Sequence, residues 1–329
     1  MKSIGIIGIG HAVPSKVLTN RDLEKMVETS DDWIVSRTGI RERRIAEPGD
    51  GTSRWACEAA RKAMAQAGVK PEEIDLIIVG TTTPDMPLPS TACFVQKELG
   101  AKNAVCFDLA AACAGFVYSL STAQQFLLNG TMKTALVIGA DQISSFLDWK
   151  DRSTCVLFGD AGAAVILREV AKPARGIIAC ALGSDGEHAD LLKIPGGGSK
   201  VHASAESVQT GQHFLKMNGA EVFKLAVRGM GQSITKVLEQ TGTRVEDVAC
   251  IVPHQANMRI IDAVADRLKV DRSKVYVNLD RYGNTSAASV AMGLSEAASQ
   301  GVIKKGDLVL LTTFGAGLVW GSALVEWGL

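Results

Sequence analysis

The chain has 329 residues, too many for one small core, so one large domain or two fused ones is expected. Lys plus Arg and Asp plus Glu both number 35, and the zero formal charge lacks the basic excess of a typical nucleic-acid binder. Seven cysteines, an odd count with no C-x-x-C, argue against a disulfide scaffold or a zinc site and for a reducing, cytoplasmic setting.

The N-terminal run to Gly8 is apolar but broken by glycines, and is expected to be a first strand rather than a signal segment. Ser30 before Asp31 and Asp32 sets an N-cap with an acidic first turn, and Gly39 closes that helix. From Ser53 to Ala67, alanines and Met64 recur at helical spacing until Gly68 stops them. Asn218 with Glu221 forms an N-x-x-E variant of the capping box ahead of Phe223, Val227, Met230, Ile234 and Val237. Ile261, Val264, Ala265 and Leu268 mark a further helix. Short apolar runs at Leu76–Val79, Ala135–Ile138, Ala163–Leu167, Ala249–Val252, Leu308–Leu311 and Ser322–Val325 suit strands covered on both faces, so the class is layered α/β. Leu308 to Val325 carries no charge, yet Thr312, Thr313 and three glycines divide it into two strand-like pieces, and no membrane span is expected.

An internal repeat organises these elements. Cys106–Gly130 overlays Val277–Gly301 without a gap, each ending in a helix stopped by glycine, and Glu72–Val79 resembles Glu246–Val252. Two similar halves, 1–172 and 173–329, are expected, with a site in the crevice between them. The overlay sets Cys113 on Asn284 and Gly80 on His254. Any two strand-helix-strand units align about this well, so the repeat speaks to the fold more than to the site. Pro195 through Gly211 is glycine-rich and polar, and reads as a long surface loop.

Three segments carry chemistry. Cys113 lies in Asp108-Leu-Ala-Ala-Ala-Cys-Ala-Gly-Phe116, among small residues and ahead of a helix, where the helix dipole is expected to lower its pKa. Small neighbours admit a carbonyl and leave the Cys113 N–H free as an oxyanion donor. On its own the segment fits a nucleophile and an inert buried thiol equally well. His254 ends a strand in Val252-Pro-His-Gln-Ala-Asn257 and is the best-placed of five histidines as base or donor. Asn284, in Tyr282-Gly-Asn-Thr-Ser-Ala287, taken alone is a turn in which Thr285 or Ser286 caps a helix. The glycine turn Phe314-Gly-Ala-Gly317 is either packing or a source of backbone donors. Gly8-Ile-Gly10 has no third glycine and Gly196–Lys200 lacks phosphate-loop spacing, so neither marks a nucleotide motif.

Taken together, Thr29–Arg43, Ala110–Phe116, Phe158-Gly-Asp160, Pro253–Asn257, Gly283–Ser289 and Phe314–Gly321 resemble, in order along nearly the whole chain, the β-ketoacyl-acyl-carrier-protein synthase III family. The resemblance implies a five-layered αβαβα thiolase-like fold, a homodimer, an acyl-CoA primer such as acetyl-CoA, a malonyl-acyl-carrier-protein extender, and no metal or redox cofactor. It implies Cys113, His254 and Asn284 as the catalytic triad, with the N–H groups of Cys113 and Ala316 as oxyanion donors. Trp33, Arg37 and Arg152 match positions that hold the CoA adenine and phosphate, and Gly219, Phe223, Ala256 and Asn257 match the pantetheine channel. Lys224, Arg259 and Arg267 would form the carrier-protein patch, and Leu88 would reach the partner subunit's acyl pocket. Asp266 stands where a basic residue is usual, Ala316 replaces a glycine, and Leu88 replaces a common Phe, so carrier affinity and primer choice are left open. A starter condensing enzyme or acyltransferase of secondary metabolism is the nearest rival. A papain-type hydrolase lacks the sequence context of its cysteine, and a degradative thiolase lacks a second cysteine beyond Cys250.

Overall fold

The computed structural model describes residues 2–329. Its first sheet contains β1 (Ser3–Ala12), β2 (Leu76–Gly80), β3 (Val105–Leu109), β4 (Thr134–Asp141) and β5 (Ala161–Val170), ordered β1-β5-β4-β2-β3. Its second contains β6 (Ile177–Ser184), β7 (Cys250–Pro253), β8 (Leu308–Gly315) and β9 (Val319–Glu326), ordered β6-β9-β8-β7. The strand order repeats, and an isolated parallel bridge from Ile251 to Val275 lies where β3 lies in the first sheet. Residues 172 and 173 fall between β5 and β6. The uncharged C-terminal stretch is the antiparallel pair β8–β9, and among the described residues no helix is long and apolar enough to cross a membrane.

The helices fill three layers. They are α1 (Asp31–Thr38), α2 (Thr52–Ala67), α3 (Thr91–Leu99), α4 (Gly115–Asn129), α5 (Gly219–Thr241), α6 (Met258–Leu268) and α7 (Ser289–Ser299). Along β2, Leu76 and Ile78 join a core with Phe116 and Leu120 of α4, whereas Ile77 and Val79 join one with Ala59 and Ala63 of α2. Along β8, Val309 and Leu311 meet Val290 and Leu294 of α7, whereas Leu310 meets Ile234 of α5 and Ile261 of α6. Strands covered on both faces therefore read as unbroken apolar runs. The order is outer helices, sheet, central α4 and α7, sheet, outer helices, which is the αβαβα arrangement of the thiolase fold.

Local signals acted largely as expected. Ser30 Oγ accepts the Trp33 N–H at 3.1 Å, and Gly39 closes α1 at φ 79°. Asn218 accepts the Glu221 N–H at 3.4 Å, but Glu221 pairs with Lys224 at 2.8 Å instead of completing the box. The segment after Pro195 is not all loop. Ser204 caps the helix Ala205–Gln209, and Lys216–Met217 then pairs with Leu192–Lys193. Strand β6 escapes hydropathy because its burial alternates irregularly.

The repeat is real in topology but not free of gaps. α4 has 15 residues and α7 has 11, a difference of about one turn. Glycines stop both, yet their starts are out of step with an ungapped overlay. Ala112 (φ 46°) opens the 3₁₀ turn before α4 as Ser286 (φ 49°) opens the one before α7. Cys113 consequently corresponds to Ala287, not Asn284. The other pairing holds, since Gly80 ends β2 and His254 directly follows β7.

Candidate active site

Cys113 sits in the turn Ala112–Ala114 between β3 and α4, 8% exposed. Gly80 and Gly115 bring it there. A Cβ on Gly80 would lie 2.5 Å from the Gly115 carbonyl carbon, so the end of β2 touches the start of α4 backbone to backbone. A Cβ on Gly315 would lie 2.8 Å from the Cys113 nitrogen, so the end of β8 lies directly against the thiol's own peptide. Thr313 Oγ1 donates to the Cys113 carbonyl at 2.8 Å and fixes that peptide's orientation. Ala316 follows in the half-buried turn and does not line the cavity described below.

His254 is buried, and its N–H donates to the Thr312 carbonyl at 2.7 Å. Its Nδ1 lies 2.6 Å from Ser289 Oγ at the start of α7. A serine hydroxyl donating to Nδ1 leaves the proton on Nε2, so a neutral imidazole presents a donor on its free side. Asn284 is buried as well. Its Oδ1 accepts the Ser286 N–H at 2.9 Å, which leaves Nδ2–H as the side chain's donating end. Its backbone is held from both sides, donating to the Leu157 carbonyl at 2.8 Å and accepting the Gly159 N–H at 3.0 Å.

Burial sets the resting charges. It pushes the Cys113 thiol up to about 12, with the Asp141 carboxylate adding to the rise and the Ser286 hydroxyl working against it. Burial alone pushes the His254 imidazole down to about 3. The lowered thiol pKa expected from the helix dipole is thus overturned, because desolvation between two sheets outweighs it. Both groups rest neutral before substrate arrives.

One cavity of about 600 Å³ contains Cys113, His254 and Asn284 in its lining. The same lining holds every expected CoA contact: Trp33, Arg37 and Arg152, then Gly219 and Phe223 of α5 with Ala256 and Asn257 before α6. The Arg37 and Arg152 guanidinia each stand 4.9 Å from the Trp33 ring centroid. Lys224 and Arg259 also line the cavity, and Arg259 lies 5.8 Å from the Phe223 ring centroid. Arg267 does not line it. Its side chain crosses α5 at Gly231, where a Cβ would come within 2.5 Å of Nε. Leu88 is also outside, 84% exposed. Hydropathy and motif gave no hint that Leu192 and Met217 would supply apolar wall, and Phe158 and Phe314, which stand in the matched segments, join them in that role. Among the described residues, no group of three or more His, Cys, Asp or Glu side chains is placed to hold a metal ion.

With this geometry in view, the sequence comparisons fit closely. Residues 107–186 match 3-oxoacyl-acyl-carrier-protein (ACP) synthase III, and residues 238–327 match the C-terminal region of the same family. The β-ketoacyl-acyl-carrier-protein synthase III of Symbiobacterium thermophilum is 53% identical, covering 100% of this chain and 99% of that protein. The chain belongs to the synthase III family. The synthase III of Caldanaerobacter subterraneus is also 53% identical, over 98% of this chain and 97% of that one. The crystal structure of the Aquifex aeolicus synthase III superposes with a TM-score of 0.90 at 45% identity, covering 99% of this chain and 100% of that one. Membership accounts for the duplicated topology and for the concentration of motif residues around a single cavity.

Proposed function

We propose that this chain is a β-ketoacyl-acyl-carrier-protein synthase III that condenses an acyl-CoA primer, acetyl-CoA or one similar, with malonyl-acyl-carrier protein. Initiation of type II fatty acid synthesis is the role that follows. The observation that carries the reading is one cavity lined by a thiol, two neutral amide or imidazole donors and a Trp–Arg cluster at its nucleotide end.

The first half-reaction is thioester exchange. Cys113 Sγ attacks the primer carbonyl, a new carbon–sulfur bond forms, the bond to CoA breaks, and the thiol proton ends on the CoA sulfur. The oxyanion is held by the Cys113 N–H and that of Ala316. In the second half-reaction malonyl thioester enters the vacated channel. His254 Nε2–H and Asn284 Nδ2–H donate to its thioester oxygen, which stabilises the enolate as CO2 leaves. Their neutrality suits this task, since both donate without a proton transfer. The enolate carbon then attacks acyl-Cys113, the bond from the acyl carbon to Sγ breaks, and Cys113 leaves as thiolate and takes a proton from solvent. Every step is acyl transfer or carbon–carbon bond formation driven by CO2 loss, so no metal or redox cofactor is called for.

Trp33 supports the adenine by stacking, and Arg37 and Arg152 pair with phosphate. Gly219, Phe223, Ala256 and Asn257 line the pantetheine arm. Lys224, Arg259 and Arg267 lie on α5 and α6 and form the carrier-protein patch, with Asp266 reducing its net charge. The same reading has the chain act as a cytoplasmic homodimer. Its exposed Leu88 would then close the partner's acyl pocket, an outlet for an apolar side chain otherwise left in water. A secondary-metabolism starter enzyme is not favoured, because relatives at 53% identity over the full chain are named as synthase III.

The test is a coupled assay with acetyl-CoA and malonyl-acyl-carrier protein. Stoichiometric CO2 and 3-oxoacyl-carrier protein support the proposal. Acyl transfer to the carrier without CO2 would make the protein an acyltransferase on the same fold.

A further inference from the structure

A plain turn at Asn284 would have Thr285 or Ser286 cap the following helix, and neither does. No side chain caps the 3₁₀ turn Ser286–Ala288, and the hydroxyl of Thr285, the other candidate, is buried without a partner. Ser286 Oγ donates instead to Cys113 Sγ at 3.3 Å, and both residues are buried.

The backbone behind this contact is held against its own preference. Ser286 has φ 49°, a region that non-glycine residues seldom occupy. Two hydrogen bonds keep it there. Asn284 Oδ1 accepts its N–H at 2.9 Å, and the Asp141 carboxylate accepts the next N–H, of Ala287, at 3.1 Å. Asp141 is itself fixed by the Thr81 hydroxyl at 2.9 Å and by the N–H groups of Thr82 and Thr83 at 2.8 and 3.1 Å. A buried polar cluster at the C-terminal end of β4 thus aims one hydroxyl at one sulfur.

We propose that Ser286 is a further catalytic residue, a hydrogen-bond donor that stabilises negative charge on Cys113 sulfur as it attacks and as it leaves. Ser286 keeps its proton throughout. The hydrogen bond strengthens as the sulfur becomes anionic, which is when it is most needed in a desolvated site. Of the other titratable groups, Asp141 opposes ionisation of the sulfur through its charge, and His254, which shares the cavity, is neutral. That leaves Ser286 as the side chain favouring it.

The role rests on Cys113 being the nucleophile of the proposed condensation, but its test needs no substrate. Full-length Ser286→Ala and Ser286→Gly are treated with iodoacetamide from pH 7 to 10, and alkylation of Cys113 is followed by peptide mass spectrometry. In that reaction the sulfur–carbon bond forms, iodide leaves and the thiol proton goes to buffer. The proposal predicts alkylation about 10- to 100-fold slower in both variants, the factor for one hydrogen bond to an ionised group, with the log rate–pH line displaced in parallel. Glycine accepts positive φ freely, so the two variants separate hydroxyl from backbone. Wild-type rates in both, or in the glycine variant alone, would overturn the proposal. Unfolding would expose Cys113 and speed its alkylation, the opposite sign. If the variants are slow while wild type takes no acyl group from acetyl-CoA, the synthase reading fails and the role of Ser286 stands.

Discussion

Ser289→Ala tests how His254 is made a donor. The hydroxyl lies 2.6 Å from Nδ1, in a place where the imidazole is buried and held neutral with a pKa of about 3. Removing the hydroxyl leaves a buried ring nitrogen unsatisfied, a cost of about 1–3 kcal/mol. Without the hydroxyl nothing holds the proton on Nε2, so a share of the rings carries it on Nδ1, which takes the donor away from the malonyl thioester. A loss of about 2 kcal/mol corresponds to roughly 30-fold in rate. Acylation should be nearly untouched, since the contact to the Cys113 sulfur comes from Ser286. The assay separates the halves: the burst of CoA release from acyl-CoA reports acylation, and CO2 release from malonyl-acyl-carrier protein on pre-acylated enzyme reports the second step. Equal losses in both halves, or none in either, would refute the tautomer argument.

Other outcomes follow from the same site. Asn284→Ala removes one enolate donor and should lower CO2 release by about 10²–10³ while the CoA burst persists, which single-turnover kinetics will show. Trp33→Ala should raise KM for acyl-CoA by about 5- to 30-fold, as one lost aromatic contact of 1–2 kcal/mol implies, with KM for the malonyl carrier much less affected. His254 has a folded-state pKa below its unfolded value, so the unfolded chain binds the extra proton between about 3 and 6.5. Stability from this group is present above pH 6.5 and is lost as pH falls through that window, by about 1.4 kcal/mol per unit at most. Urea titrations at pH 6.5 and 4.5 should show that loss in wild type and a smaller one in His254→Gln.

What the sequence disclosed depended on how local the cause was. Caps at Ser30 and Gly39 and the apolar strands act through neighbours, and they stand where their residues predict. Cys113, His254 and Asn284 were legible as motifs, although about 30 to 170 residues separate them and only the packing of the layers brings them to one cavity. The direction of the thiol's pKa was not legible, because the helix is a local feature and burial between two layers is not. Nor was the aim of Ser286, which depends on a positive φ imposed by Asp141 from another strand. The one-turn difference between α4 and α7 escaped an ungapped overlay because both ends carry plausible glycines and small residues.

The reading as a whole turns on Cys113 carrying the acyl group. Intact-protein mass spectrometry after incubation with a panel of acyl-CoAs, on wild type and Cys113→Ser, followed by malonyl-acyl-carrier protein, tests this most directly. The expected result is one acyl increment on wild type alone, lost on addition of the malonyl carrier as CO2 and 3-oxoacyl product form. An increment that survives in Cys113→Ser, or none on wild type with any primer, would contradict it.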